Sequence, residues 1–349
     1  MKTVLRRQSR DTAVDLLKTI AVIDVLLIHV SAPTYGGDVG TAAWLTGLFW
    51  GSISRCGVPL FLMCSGALLL DPKRPLTWRS LFTRRLGRLL AALLFWATFY
   101  GVHRLWLTGS LNGPALLETA KRVVLFRHEE HLYYLHIMLL VYACLPVSRL
   151  LAERMDDTTY RYALGLWFLV GIVYPTVKIY WPFTLLVGIP TQWLLNMTYA
   201  SIGYTLLGDY LSRRQTLSRR CSAALALVGF VVVYGGTYGA SLAQGSRIEH
   251  FLGGMTVGVC LLAVGVYGLC QKVCLPEKME KVTVYLSKAS FAIFLTHIFF
   301  LHLFLRHGFD TTVLPVAFSV PLLAAAVLGC SCLTYEVLRR IPVVNRWLI

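Results

Sequence analysis

Apolar segments long enough to cross a bilayer recur from one end of this 349-residue chain to the other, and nothing else constrains its fold as strongly. A spanning helix needs about 20 apolar residues, because lipid offers exposed backbone groups no hydrogen-bond partners. Such segments fall at about 13–34, 43–70, 84–105, 132–150, 161–181, 185–208, 220–242, 251–271, 284–305 and 313–337. The composition agrees: 56% of the residues are hydrophobic and 14% charged, against about 45–50% and about 25% in soluble domains. The pattern predicts an all-α integral membrane protein, a bundle of about ten transmembrane helices. No connection is long enough to hold a core of its own, so 1–349 reads as a single polytopic membrane domain.

The net charge is +16, from 33 Lys and Arg against 17 Asp and Glu. In a soluble protein that excess suggests nucleic-acid binding, but here it follows topology. Basic residues collect in alternate connections: Lys2 to Arg10, Lys73 to Arg88, Arg149 to Arg161, Arg213 to Arg220, Lys272 to Lys288, and Arg339 to Arg346. The intervening connections are poor in them, except 106–131 with Lys121, Arg122 and Arg127. This alternation predicts an even number of spans with both termini cytoplasmic, and no nucleic-acid partner. Within 106–131, Leu116 to Phe126 mixes apolar residues with Glu118, Lys121 and Arg122, which predicts a short amphipathic helix at the outer interface. No small-residue cleavage site follows the first apolar run, so no cleavable signal peptide is expected. The nine cysteines form no C-x-x-C pair, and seven of them, such as Cys56 and Cys64, read as small packing residues in apolar runs.

Ionisable groups inside a span are costly, so each one marks a functional candidate. The first segment carries Asp15, Lys18, Asp24 and His29. Lys18 and His29 are eleven residues apart, which places them on one helix face about 16 Å apart along the axis. Asp15 precedes Lys18 by three residues, close enough to pair with it. An interfacial ion pair with a snorkelling lysine accounts for those two as well as function does. Asp24 points about 140° away from His29 and is expected to meet another helix.

In the second segment, Arg55 lies deep within an otherwise uncharged run. A buried guanidinium needs an anion or several carbonyls, so either a substrate group or a carboxylate on a neighbouring helix is expected. Pro59, Ser65 and Gly66 imply that this helix is bent or closely packed. Weaker candidates are the His128–His131 cluster with His136, which lacks the spacing of a helical metal site, and His297 in the ninth segment. No metal site is expected. Cys64-Ser65 is not flanked as a nucleophile elbow requires.

The first two segments together resemble the membrane acyltransferases of acyltransferase family 3, which include O-acetyltransferases that decorate bacterial surface polysaccharides. The family's opening pattern of an acidic residue, Leu-x-basic, an apolar stretch and then His is met by Asp15-Leu-Leu-Lys18 and His29. Its second pattern, Arg-x-x-x-Pro-x-Phe-x-x-x-Ser-Gly, is met by Arg55, Pro59, Phe61, Ser65 and Gly66. Arg84, Arg85 and Arg88 entering the third segment, Tyr133-Tyr134 at the start of the fourth, and Phe294-Leu-Thr-His297 in the ninth extend the likeness over about 12–340. Lys18 stands where arginine is usual, which forgoes a bidentate grip on phosphate; Tyr133-Tyr134 replaces a common Trp-Phe.

The resemblance implies a multi-pass enzyme of the cell inner (cytoplasmic) membrane that moves an acetyl group from cytoplasmic acetyl-CoA to a hydroxyl of a glycan or lipid-linked sugar outside. It implies donor binding by Asp15, Lys18, Ser65, Arg84, Arg85 and Arg88, His29 as general base, and Arg55 at the thioester. A transporter or permease for a small polar solute is the alternative, since buried His, Arg and Asp also serve proton-coupled carriers.

Overall fold

The computed structural model describes residues 11–185, 197–271 and 273–349, and every regular element among them is helical. In chain order the helices are α1 (Thr12–Ser31), α2 (Ala42–Ile53), α3 (Gly57–Leu69), α4 (Gly87–Leu107), α5 (Gly113–Val124), α6 (Tyr133–Arg154), α7 (Asp157–Trp167) and α8 (Tyr174–Val177). They continue with α9 (Met197–Arg213), α10 (Arg219–Gln244), α11 (Val257–Cys270), α12 (Glu277–Arg306), α13 (Val316–Leu338) and α14 (Pro342–Trp347).

Seven helical stretches among the described residues are long and apolar enough to cross a membrane: Ala42–Leu69, Ser80–Leu107, Glu130–Arg154, Arg219–Gln244, His250–Cys270, Glu277–Arg306 and Val316–Leu338. Three of the ten expected spans fall outside that set. Helix α1 has 20 residues but carries Asp15, Lys18 and Asp24. The fifth is helical from Asp157 to Val177, with wide turns at Phe168–Val173, yet is less apolar. The sixth, with Gln192 and Asn196, lies partly outside the described residues.

The second expected span is broken. Helix α2 ends at Ile53 and α3 begins at Gly57, which leaves Arg55 in the gap. Pro59 accounts for the position: a proline ring clashes with the carbonyl four residues earlier, which is that of Arg55. The proline itself sits in the first turn of α3, where its missing N–H costs nothing. Ser54 Oγ donates to the Trp50 carbonyl at 2.7 Å and so takes up one of the loose ends.

Glycines set the closest helix contacts. A Cβ on Gly66 would lie 1.7 Å from the carbonyl oxygen of Thr205, and one on Gly208 would lie 2.1 Å from that of Met63, so α3 and α9 touch backbone to backbone. Helices α10 and α11 pack in the same manner through Gly229, Gly258 and Gly265. Such small-residue seams are how helices associate where lipid supplies no hydrophobic drive.

Helix α1 is surrounded by α2, α3, α12 and α13. It runs parallel to α12: Thr12 reaches Glu280 near one end, and the rings of His29 and His297 meet near the other. Asp24 meets the break between α2 and α3, accepting from Cys56 Sγ at 3.2 Å, so its expected partner lies just outside a helix. The 106–131 connection does form a helix, α5, capped by Asn112 and packed on α4 through Thr119 against Gly101.

Candidate active site

Two polar groups face each other along α1 and α12. The first is a cavity of about 510 Å³ whose wall holds Lys18, Ser65, Arg84, Arg85 and Arg88, five of the eight residues singled out in the sequence. The structure adds Lys288, Ser287, Ser290, Tyr134, Tyr142 and Phe294. Among the described residues, five cations therefore line this space and no carboxylate does.

Local structure explains the convergence. Phe61 and Ser65 are four residues apart on α3 and share its cavity face, with Ser65 Oγ donating to the Phe61 carbonyl at 2.8 Å. The chain from Ser80 to Leu86 winds as a π-helical turn, in which Gly87 N–H reaches back five residues to the Phe82 carbonyl. Such widened turns re-aim side chains and often mark functional sites. The Arg85 guanidinium lies 6.0 Å from the Tyr142 ring centre, and that of Arg88 lies 5.9 Å from the Phe291 ring centre.

Asp15, which the spacing sets close enough to pair with Lys18, accepts through Oδ1 from Ser287 Oγ at 2.6 Å. Asp15 thereby positions a serine of the cavity wall, while the Lys18 side chain faces the space itself.

The second group lies beyond Phe294. The ring centroids of His29 and His297 are 5.0 Å apart, and those of His297 and His131 are 5.6 Å apart. Phe294, on the cavity wall, is also a ring neighbour of His297 at 5.9 Å and of His131 at 6.3 Å, so one aromatic side chain separates cations from imidazoles. His297 is 1% exposed, and its Nδ1 lies 2.7 Å from the Phe294 carbonyl. A carbonyl only accepts, so Nδ1 carries the proton and Nε2 the lone pair. The Nε2 atoms of His297 and His131 have no hydrogen-bond partner among the described residues.

Among the described residues, Arg55 meets neither a carboxylate nor a row of carbonyls. Its Nη2 donates to the hydroxyl of Tyr35 at 2.6 Å, while its Nε is buried without a partner among the described residues. Tyr35 is 2% exposed and has the Arg247 guanidinium 4.6 Å from its ring centre.

The sequence missed two members of this arrangement, Lys288 and Tyr35, and grouped a third, His131, with the wrong partners. Lys288 was counted with the loop charges, although Ser287, Ser290, Phe291, Phe294 and His297 repeat at helical spacing around it. His131 was grouped with His128 and His136. In the structure His128 and His136 face each other, Nε2 to Nε2 at 2.9 Å, whereas His131 packs on Tyr100 and His297. Tyr35 carried no signal at all, because its partner lies 20 residues away.

A family model described as an acyltransferase domain, that of acyltransferase family 3, matches residues 11–335. The chain belongs to acyltransferase family 3. That match runs from the N-cap of α1 to the last turns of α13 and takes in both polar groups. Comparison with curated proteins and with solved structures gives no match. Membership makes this a membrane acyltransferase of the multi-pass type, and it leaves donor, acceptor and residue roles to be argued from the site.

Proposed function

We propose that this acyltransferase carries acetyl from cytoplasmic acetyl-CoA to a hydroxyl of a glycan or lipid-linked sugar at the outer face of the cell inner membrane. Ten spans with both termini cytoplasmic fit that task. The parallel course of α1 and α12 supports the count, because the first and ninth spans of an alternating bundle point the same way. The observation that carries the reading is the pairing of a carboxylate-free cavity of five cations with three imidazoles, one phenylalanine apart.

The cations hold the donor's phosphates through charge-assisted hydrogen bonds. Neutral His29 accepts the proton of the acceptor hydroxyl as its oxygen attacks the thioester carbonyl carbon. A C–O bond forms, the C–S bond breaks, and the departing thiolate recovers the proton from the imidazolium. Arg55 balances the charge that develops on the thioester oxygen, and Tyr35 holds its guanidinium in place. His297, fixed by the Phe294 carbonyl, orients His29.

Purified protein in detergent tests the donor half directly. Acetyl-CoA is expected to raise its melting temperature in proportion to the logarithm of ligand concentration. A permease for a small polar solute shows no such stabilisation, and its absence overturns the proposal.

A further inference from the structure

A second cavity, of about 840 Å³, adjoins the first and shares Arg84 and Arg88 with it. Arg79 and Arg346 bring its cations to four guanidiniums, and no Asp or Glu among the described residues lines it. Three hydroxyls, the Asn345 amide and one aromatic ring, that of Trp347, complete the wall. Arg79, Arg84 and Arg346 take part in no ion pair among the described residues, so their charge is not spent within the fold.

The segment that supplies Arg346 and Trp347 is held in place. After α14 the chain lies against α4, where Trp96 Nε1 donates to the Leu348 carbonyl at 3.1 Å and Arg88 Nη2 donates to the main-chain oxygen of Ile349. The Arg346 guanidinium sits 5.4 Å from the Trp347 ring centre. Four guanidiniums with hydroxyls call for a polyanion, and an indole among them calls for a flat ring to stack upon. A nucleoside carrying several phosphates has both features. The first cavity has a different character: Phe61, Leu89, Met138 and Phe291 give it apolar walls suited to a long, mostly uncharged arm.

We propose that the second cavity seats the adenosine and its ribose phosphate, while the donor's diphosphate lies where the two cavities meet at Arg84 and Arg88, within the cations of the first, and the thioester arm extends on into the first. This rests on the donor reading above and adds Arg79, Arg346 and Trp347 to the donor site. An anionic lipid headgroup offers the same phosphate chemistry but no base, so Trp347 separates the two sources.

The test uses the full chain in phosphatidylcholine nanodiscs, with adenosine 3′,5′-bisphosphate and pyrophosphate as probes. Arg79 and Arg346 are exposed, so R79Q and R346Q leave the fold intact. Each is expected to weaken adenosine bisphosphate binding about tenfold, the effect of one lost charge-assisted contact, and to raise the donor KM. W347L is expected to weaken the nucleotide several-fold and to leave pyrophosphate unchanged. Unchanged nucleotide affinity in the R79Q/R346Q double variant overturns the seat. So does equal loss of both probes in W347L, or displacement of pyrophosphate but not nucleotide by phosphatidylglycerol in the disc, either of which marks a headgroup site. Acetyl transfer at wild-type donor KM in the double variant overturns the seat and leaves the transfer reading standing. Failure of wild-type protein to bind acetyl-CoA overturns both.

Discussion

His297 presents a buried imidazole 5.0 Å from that of His29, with its Nδ1 tied to the Phe294 carbonyl and its Nε2 left without a hydrogen-bond partner among the described residues. The tautomer is therefore set by the backbone of α12, one turn above the residue that walls off the cationic cavity. His29 on α1 and His297 on α12 are held in register by two helices that pack along their length.

That register predicts the behaviour of His297 variants. His297→Ala is expected to lower kcat at least about tenfold, with the donor KM within twofold of wild type, because His297 does not line the cationic cavity. Steady-state kinetics on both substrates check the split. A raised donor KM at unchanged kcat places His297 in binding instead.

The Arg55–Tyr35 contact separates positioning from charge. Tyr35→Phe removes the hydroxyl that accepts from Nη2 and keeps the guanidinium, so a loss of about tenfold in kcat is expected. Arg55→Ala removes the charge and is expected to cost about a hundredfold or more. Equal losses in the two variants would mean that the hydroxyl itself contacts substrate.

Lys288 is expected to act with the sequence-predicted cations. Lys288→Gln should raise the donor KM about tenfold and leave kcat at saturating donor unchanged, since a phosphate contact made equally in ground and transition states affects binding alone. Isothermal titration with acetyl-CoA gives the same comparison without turnover. An unchanged KM makes Lys288 an interfacial charge only.

Gly66 and Gly165 give opposite stability outcomes. Gly66→Ala drives a methyl group into the Thr205 backbone, which forces α3 from α9 at a cost of about 1–3 kcal/mol or more. Gly165, in α7, has open space where its Cβ would stand, so Gly165→Ala is expected to be neutral or to gain up to about 1 kcal/mol. Melting temperatures in one detergent measure both.

Much of this architecture was legible before any coordinates. Apolar runs and alternating loop charge located the helices, and eleven-residue spacing put Lys18 and His29 on one face of α1. Pro59 even fixes where the second run breaks, since its ring excludes a helical carbonyl at Arg55. What remained hidden depends on contacts between distant segments. Asp15 lies near Lys18 in sequence and bonds to Ser287, and Arg55 finds its hydroxyl 20 residues back, beyond α2. Lys288 looked like loop charge because basic residues near a helix end usually are; only the polar face around it, from Ser287 to His297, separates it from them. The π-helical turn at Ser80–Leu86 has no sequence signature, yet it leads Arg84, Arg85 and Arg88 to a common space.

The account turns on His29. Purified wild-type protein and His29→Ala, reconstituted in proteoliposomes with a hydroxyl acceptor and radiolabelled acetyl-CoA, measure that claim most directly. The prediction is that His29→Ala binds acetyl-CoA as wild type does, because His29 is absent from the cationic cavity wall, while its transfer rate falls by about a hundredfold or more. Undiminished transfer by a variant that binds donor normally contradicts it.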